Sequence, residues 1–311
     1  MKNKKYALIA TKVSDKLIDS LEEKDYHIDY FDYDLPISWE KYTGIITSNK
    51  LYLPKEILEK CKNLKWIGRL GSGMEIIDLD YAKSQNIKVV GSPDGNANAV
   101  AEQALGMLLS MTHQIHNSYK ETSKNIWRRE ANRGWEIHGK KAAIIGLGNN
   151  GSLFAQKLNA MGMEVFYYDP YILNPRSVDY AKRKNSIPTL LEEEIDVLSF
   201  HVPLNKETEN YFDENMLVDL KKPIYLLNLS RGPVVFWDKV YQGLKEGKII
   251  KAALDVLEVE PLDKMPEQAK KEIAEMIQKD KLLLTPHIGG YTFEAIDKMS
   301  HSVLKQLYNT L

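Results

Sequence analysis

The 311-residue chain reads as an α/β protein with two doubly wound parallel-sheet domains. Three observations predict this. At about 150 residues per domain, the length has room for two. Short apolar runs alternate with helix-spaced patterns along most of the chain, as parallel strands with crossover helices require. A glycine-rich turn in the middle joins one such run to a helical segment.

The first alternating series holds the apolar runs Tyr6 to Ala10, Gly44 to Thr47, Lys65 to Ile67 and Lys88 to Val90, with a helix over Pro54 to Lys60. A long helical segment follows from Ala99 to Tyr119, because Val100, Ala104, Met107, Leu108 and Met111 fall at helix spacing. A tryptophan-containing stretch, Asn125 to Glu136, leads into the second series. Its runs are Ala142 to Ile145, Glu164 to Tyr168, Val197 to Phe200, Ile224 to Asn228, Lys251 to Val256 and Leu282 to Thr285. Six strand candidates with helices between them suit a doubly wound sheet. The last segment, Phe293 to Leu311, is amphipathic, with Ile296, Met299, Val303, Leu304 and Leu307 on one face, so it is expected to pack back on the first domain.

Composition excludes several classes. Lys plus Arg number 42 and Asp plus Glu 43, a net charge of −1, where a nucleic-acid binder carries a basic surplus. The hydrophobic share of 43% supports a sizeable core rather than disorder. A lone cysteine, Cys61, rules out an intramolecular disulfide and a four-cysteine metal site, and no metal is expected. The N-terminal apolar run is too short for a signal peptide, and no run approaches the roughly 18 apolar residues of a membrane span. A cytoplasmic protein is the expectation.

Gly146-Leu147-Gly148-Asn149-Asn150-Gly151 is a GxGxxG turn in its full context. An apolar strand precedes it, a helix over Ser152 to Met161 follows, and the next strand ends at Asp169. The first glycine permits the turn, the second lets a pyrophosphate approach the backbone, and the third lets helix and strand pack closely. Such a Rossmann-like unit binds a dinucleotide. Asp169 lies where an acid binds ribose hydroxyls and repels the extra phosphate of NADP, so NAD is the predicted cofactor; Arg176 nearby would weaken that preference.

Three charged or titratable residues follow predicted strands, where open α/β sheets place ligands. They are Arg231 before Gly232-Pro233, Glu260 before Pro261, and His287 before Ile288-Gly289-Gly290. An arginine fork holds a carboxylate at two points and polarises an adjacent carbonyl. A histidine moves a proton at neutral pH, and a glutamate beside it stabilises the imidazolium and orients the ring. The set suits redox chemistry on a small acid. Each residue alone also has a plainer structural reading: a surface ion pair, a turn glutamate, a loop histidine.

The ordered motifs resemble the D-isomer-specific 2-hydroxyacid dehydrogenases over about Lys65 to Thr292. They are Arg69-Leu70-Gly71-Ser72-Gly73, Asn96 to Glu102, Trp127-Arg128-Arg129, Gly146 to Gly151, His201-Val202-Pro203-Leu204, Asn228 to Gly232, Ala253 to Val256 with Glu260-Pro261, and Thr285-Pro286-His287. The resemblance implies Arg231 on the substrate carboxylate and carbonyl, with Glu260 and His287 as the proton-transfer pair. It implies Asp255 at the nicotinamide carboxamide. Backbone amides of Ser72 and Gly73 would grip the substrate carboxylate. Cofactor contacts would come from Gly146, Gly148, Asn149, Asn150, Gly151, Asp169, Val202, Leu229, Ser230, Asp255 and Gly289. It also implies a cofactor domain (96–287) inserted in a substrate domain (1–95 and 288–311), an active site in the cleft, and a homodimer formed by the helix from Ala99.

The Arg69 and Asn96 to Glu102 motifs look most like phosphoglycerate dehydrogenases of serine biosynthesis. A phosphorylated substrate needs further cations, and Arg69, Arg129 and Lys50 are the candidates. Arg69 has the alternative of a surface residue beside its loop. No regulatory domain is expected after Leu311. Phe236 stands where the family often has an acid, Asn205 replaces a frequent threonine, and the charged stretch around Pro266 to Lys279 looks like an addition. Glyoxylate, hydroxypyruvate or D-lactate chemistry are alternatives, as is an NADH-sensing corepressor-like interaction protein.

Overall fold

Hydrophobic alternation in the sequence becomes two all-parallel sheets. The computed structural model describes residues 4–49, 51–172 and 178–311. The chain divides into two compact units, one of Met1–Ala97 with Gly290–Leu311 and one of Asn98–Gly289.

The first unit begins with β1 (Lys5–Ile9), α1 (Asp15–Glu22), β2 (Tyr26–Tyr30), β3 (Gly44–Thr47) and α2 (Lys55–Leu58). Next come β4 (Trp66–Arg69), α3 (Leu79–Ser84) and β5 (Lys88–Gly91). The strands form one sheet in the order β2-β1-β3-β4-β5. One face buries Leu8, Ile45 and Ile67 with Leu53, Leu58 and Leu64. The strand β2 lacks a clear apolar rhythm, since only its Tyr26 is buried, yet it pairs with β1 at the sheet edge. This unit therefore has five strands, one more than the sequence suggests.

The second unit carries α4 (Ala97–Thr112) from its second residue onward and α5 (Ile115–Thr122). These replace the single helix expected over Ala99 to Tyr119. The break falls at Gln114, which adopts left-handed backbone, φ 57°. Its side-chain Oε1 accepts from the ammonium of Lys251 at 2.6 Å. Then come β6 (Lys141–Ile145), α6 (Asn149–Ala160), β7 (Glu164–Tyr168), β8 (Lys182–Arg183), α7 (Ile187–Leu191) and β9 (Val197–Phe200). The unit closes with α8 (Glu214–Asp219), β10 (Ile224–Asn228), α9 (Trp237–Glu246), β11 (Ile249–Leu254), α10 (Glu267–Gln278) and β12 (Leu282–Leu284). The sheet order is β12-β11-β10-β9-β6-β7-β8, seven strands where six are expected, because β8 adds two residues to the edge.

Both faces of this sheet are covered. Ala143, Ile145, Leu198 and Phe200 point to one apolar cluster, and Ala142, Ile144 and Val197 to the other, as strand alternation dictates. The charged stretch around Pro266 to Lys279 is helical, as its pattern suggests, and it is packed into the unit. The helix α10 buries Ile273 and Met276 in the first cluster. It also bonds α9, through Trp237 Nε1 to Glu272 at 3.0 Å and Tyr241 Oη to Glu275 at 3.3 Å.

In the first unit, α11 (Phe293–Leu307) follows. It lays Val303 and Leu307 over Gly68 of β4, the return packing that its amphipathic pattern predicts. Among the described residues, no helix is long and apolar enough to cross a membrane.

A partly buried ion cluster lies at the α4–α5 break. The side chain of Lys251 is 8% exposed and bonds Asp280, which also pairs with His116 Nε2 at 2.5 Å. Burial alone would raise the Asp280 carboxyl; His116 and Lys251 outweigh it and hold the group below the ordinary aspartate range. Asp280→Ala is expected to cost about 3–5 kcal/mol in urea unfolding, because Lys251 stays buried with only Gln114 as acceptor. The double variant with Lys251→Met should recover most of that loss; equal losses in both would show that the pair is not the source.

Candidate active site

The turn from β6 into α6 is shaped by close approach. Gly146 has φ +88°, and a Cβ there would lie 2.7 Å from the His201 carbonyl oxygen. A Cβ on Gly151 would lie 2.0 Å from the Gly146 oxygen, so the helix can sit this close to the strand only with glycine. Gly148 is the N-cap of the 12-residue α6 and brings no side chain to it, and a Cβ there would meet nothing within 4 Å. Asn149 and Asn150 form the first helical turn. A glycine-lined helix N-terminus of this kind fits a pyrophosphate.

Asp169 follows β7 and is 8% exposed. Its Oδ2 accepts from Leu147 N–H at 2.9 Å, and its Oδ1 from the N–H groups of Tyr171 at 2.9 Å and Ile172 at 3.3 Å. The acid thus ties the glycine turn to the end of β7. Val202, partly buried, crowds the same position at Gly146, its Cγ1 2.8 Å from where a Cβ would stand. Behind the turn, His201 Nε2 lies 2.8 Å from Ser199 Oγ, and the ring rests 5.3 Å from that of Phe154. Burial pushes the His201 imidazole down to about 4. Arg176 lies outside the described residues.

Arg231 leaves β10 through a turn that Asn228 builds. Asn228 is fully buried; its Oδ1 accepts from Ser230 N–H at 3.0 Å and Ser230 Oγ at 2.8 Å, and its Nδ2 donates to the Arg231 carbonyl at 2.9 Å. Arg231 Nη1 in turn donates to the Ser230 carbonyl at 2.7 Å. Leu229 and Ser230 are buried.

Glu260 and His287, 27 residues apart in the chain, meet: Glu260 Oε2 lies 2.7 Å from His287 Nδ1, and each side chain is about one-third exposed. The other oxygen, Oε1, accepts from Leu257 N–H at 3.2 Å, which fixes the carboxylate. His287 sits in left-handed backbone at φ 55°, an unfavourable state for a non-glycine residue. Asp255 holds it there. This carboxylate is 2% exposed and accepts from Thr285 Oγ1 at 2.5 Å, Ile288 N–H at 3.0 Å and Gly289 N–H at 2.7 Å. The donors flank His287 on both sides, so Asp255 braces the turn that carries it.

The remaining candidates are spread differently. Arg69 is no surface residue: it is 6% exposed, its Nε donates to the Gly73 carbonyl at 3.0 Å, and its Nη1 donates to the Leu70 carbonyl. Its loop folds round the guanidinium, leaving Ser72 exposed and Gly73 half-buried. Those three residues belong to the first unit, whereas Arg129, exposed, belongs to the second with Arg231, Glu260 and His287. Lys50 lies outside the described residues.

Residues 105–289 match the model of the D-isomer specific 2-hydroxyacid dehydrogenase, NAD binding domain. The chain belongs to the D-isomer-specific 2-hydroxyacid dehydrogenase family. It is 33% identical over 297 residues to a putative D-3-phosphoglycerate dehydrogenase of Schizosaccharomyces pombe, covering 93% of this chain and 63% of the relative. It is 32% identical to a hydroxypyruvate reductase of Thermotoga maritima, covering 82% of this chain and 80% of the relative. Among solved structures, D-lactate dehydrogenase from Aquifex aeolicus complexed with NAD and lactic acid superposes with a TM-score of 0.84 at 27% identity, over 98% of this chain and 95% of that one. The chain spans less than two thirds of the length of the first curated relatives it matches.

Two further polar residues shape the site: Asn228, which builds the Arg231 turn, and Thr285, which donates to Asp255. Both stand inside motifs quoted from the sequence, and a polar residue at the end of an apolar run is the signal that could have found them.

Two outcomes test this geometry. Gly151→Ala is expected to weaken NADH binding, read by fluorescence titration, by about tenfold or more, since the new methyl meets the Gly146 carbonyl. For His201, the folded protein disfavours the charged imidazole, so the unfolded chain binds the proton more readily between pH about 6.5 and about 4. Stability should therefore fall as pH drops through that window. A His201→Gln variant should show a flatter urea-midpoint profile there; an unchanged slope would remove His201 as its source.

Proposed function

We propose that the chain is an NAD-dependent D-2-hydroxyacid dehydrogenase, and the Glu260–His287 contact at 2.7 Å beside Arg231's turn is the observation that carries the reading. The glycine turn at Gly146, Gly148 and Gly151 would hold the dinucleotide, which when bound would supply or accept the hydride. Arg231 binds the substrate carboxylate and polarises the adjacent carbonyl. With Nδ1 directed at Glu260, His287 exchanges the proton at Nε2. In reduction the keto acid's carbonyl carbon gains the hydride and its oxygen gains that proton, giving the 2-hydroxy acid. Glu260 holds the ring in orientation and balances its charge. Asp169 favours NAD over NADP, because a carboxylate repels a ribose phosphate. The reading extends to a cytoplasmic homodimer joined through α4.

The favoured substrate is 3-phosphoglycerate, with its oxidation feeding serine synthesis; the identity to the Schizosaccharomyces relative supports it. Hydroxypyruvate is the second reading, and one observation favours it: Arg69, the candidate phosphate cation, is buried and bonds carbonyls of its own loop. A smaller keto acid needs no such cation.

A substrate panel separates these readings. Phosphohydroxypyruvate, hydroxypyruvate, pyruvate and glyoxylate are offered with NADH, and consumption is followed by absorbance. Phosphohydroxypyruvate should turn over best; a hydroxypyruvate preference selects the second reading. No turnover, with NADH-dependent capture of a protein partner instead, would favour the corepressor-like alternative. His287→Ala should lower kcat by at least about a hundredfold, as expected for a lost general acid. Full activity in that variant would remove its role.

A further inference from the structure

Phe236 is the N-cap of α9, yet it offers the helix no side-chain acceptor. The acceptor comes from another segment: Glu258 Oε1 accepts from Trp237 N–H at 3.4 Å. Glu258 lies in the loop after β11, two residues ahead of Glu260. Its second oxygen, Oε2, is buried and has no hydrogen-bond partner among the described residues. Burial holds this carboxyl above the ordinary glutamate range, against the N–H groups of Glu258 itself and Trp237. Burying a carboxyl with one oxygen unmet is costly. A serine or aspartate at position 236 would cap α9 without that cost. Capping alone therefore accounts poorly for Glu258.

Its place in the loop accounts for it better. The Gly232 backbone abuts this loop so closely that a Cβ would lie 1.9 Å from the Leu257 carbonyl and 2.4 Å from Glu258 N. Leu257 N–H holds Glu260 Oε1, and Glu260 Oε2 holds His287. Residues 257–260 thus link the Arg231–Gly232 segment to His287. Trp237, which Glu258 engages, is itself anchored to α10 through Glu272.

We propose that Glu258 is a positioning residue for the Glu260–His287 pair, clamping the 257–260 backbone to the start of α9 and so to α10. The proposal rests on the reading of that pair as the proton-transfer couple. Glu258 acts through the Leu257 N–H rather than on the substrate.

The test compares Glu258→Ala, Glu258→Gln, Phe236→Asp and the double variant Phe236→Asp/Glu258→Ala with the parent. Each is measured for kcat and KM on the best keto acid of the panel, for NADH Kd and for Tm. Glu258→Ala should lower kcat about tenfold while NADH Kd stays within about twofold. Glu258→Gln should stay within about threefold of the parent, since its amide oxygen still accepts from Trp237. Adding Phe236→Asp to Glu258→Ala should restore Tm but not kcat, because a local cap secures α9 without gripping the Glu260 loop. Unchanged kcat in Glu258→Ala overturns the proposal, as do equal losses in the alanine and glutamine variants. Recovery of kcat together with Tm in the double variant reduces Glu258 to a cap. If Glu258→Ala fails to fold, the glutamine and double variants decide by the same criteria. An inactive parent overturns both this inference and the reading beneath it; an active parent with an indifferent Glu258 overturns the inference alone.

Discussion

Every strand of the seven-stranded sheet runs the same way, and the site follows from that constraint. Parallel strands require crossovers, so each strand's carboxyl end opens into a loop on one edge. Gly146 follows β6, Asp169 follows β7, His201 follows β9, Arg231 follows β10, Glu260 follows β11 and His287 follows β12. The order places β6 between β9 and β7, which is where the winding reverses and the crevice opens. Polar groups from distant segments therefore collect on one rim without any of them being adjacent in the chain.

Loops on a rim have no ladder of their own, and buried polar side chains replace it. Asn228 shapes the turn of Arg231, Asp255 the turn of His287, and Asp169 the glycine turn. Each accepts from or donates to backbone groups that would otherwise be buried without partners, an omission of about 1–3 kcal/mol per group. The low dielectric of these sites strengthens each bond while it lasts. Rigidity is thus concentrated where the charged side chains are presented.

Much of this was legible in the sequence, and the failures have physical causes. Strands buried on both faces, such as Val197 to Phe200, announce themselves by continuous apolar character. The edge strand β2 does not, because Tyr-His-Ile-Asp-Tyr meets the core only through Tyr26. The α4–α5 break leaves no glycine or proline to betray it; at Gln114 the backbone turns left-handed, and its side chain meets Lys251, 137 residues away in the chain. The helical pattern of α10 is visible in the sequence, but that Ile273 and Met276 enter the core is seen only once the helix packs.

The sequence by itself determined the cofactor turn, the order of the motifs and the family, because those are encoded in contiguous residues with local geometry. Only the tertiary structure decided that Arg69 turns inward, that Asp255 braces the His287 turn, and that Glu258 accepts from the Trp237 N–H at the start of α9. Each of these depends on which backbone group arrives opposite a side chain, and that is settled when separate segments pack, not by the residues on either side.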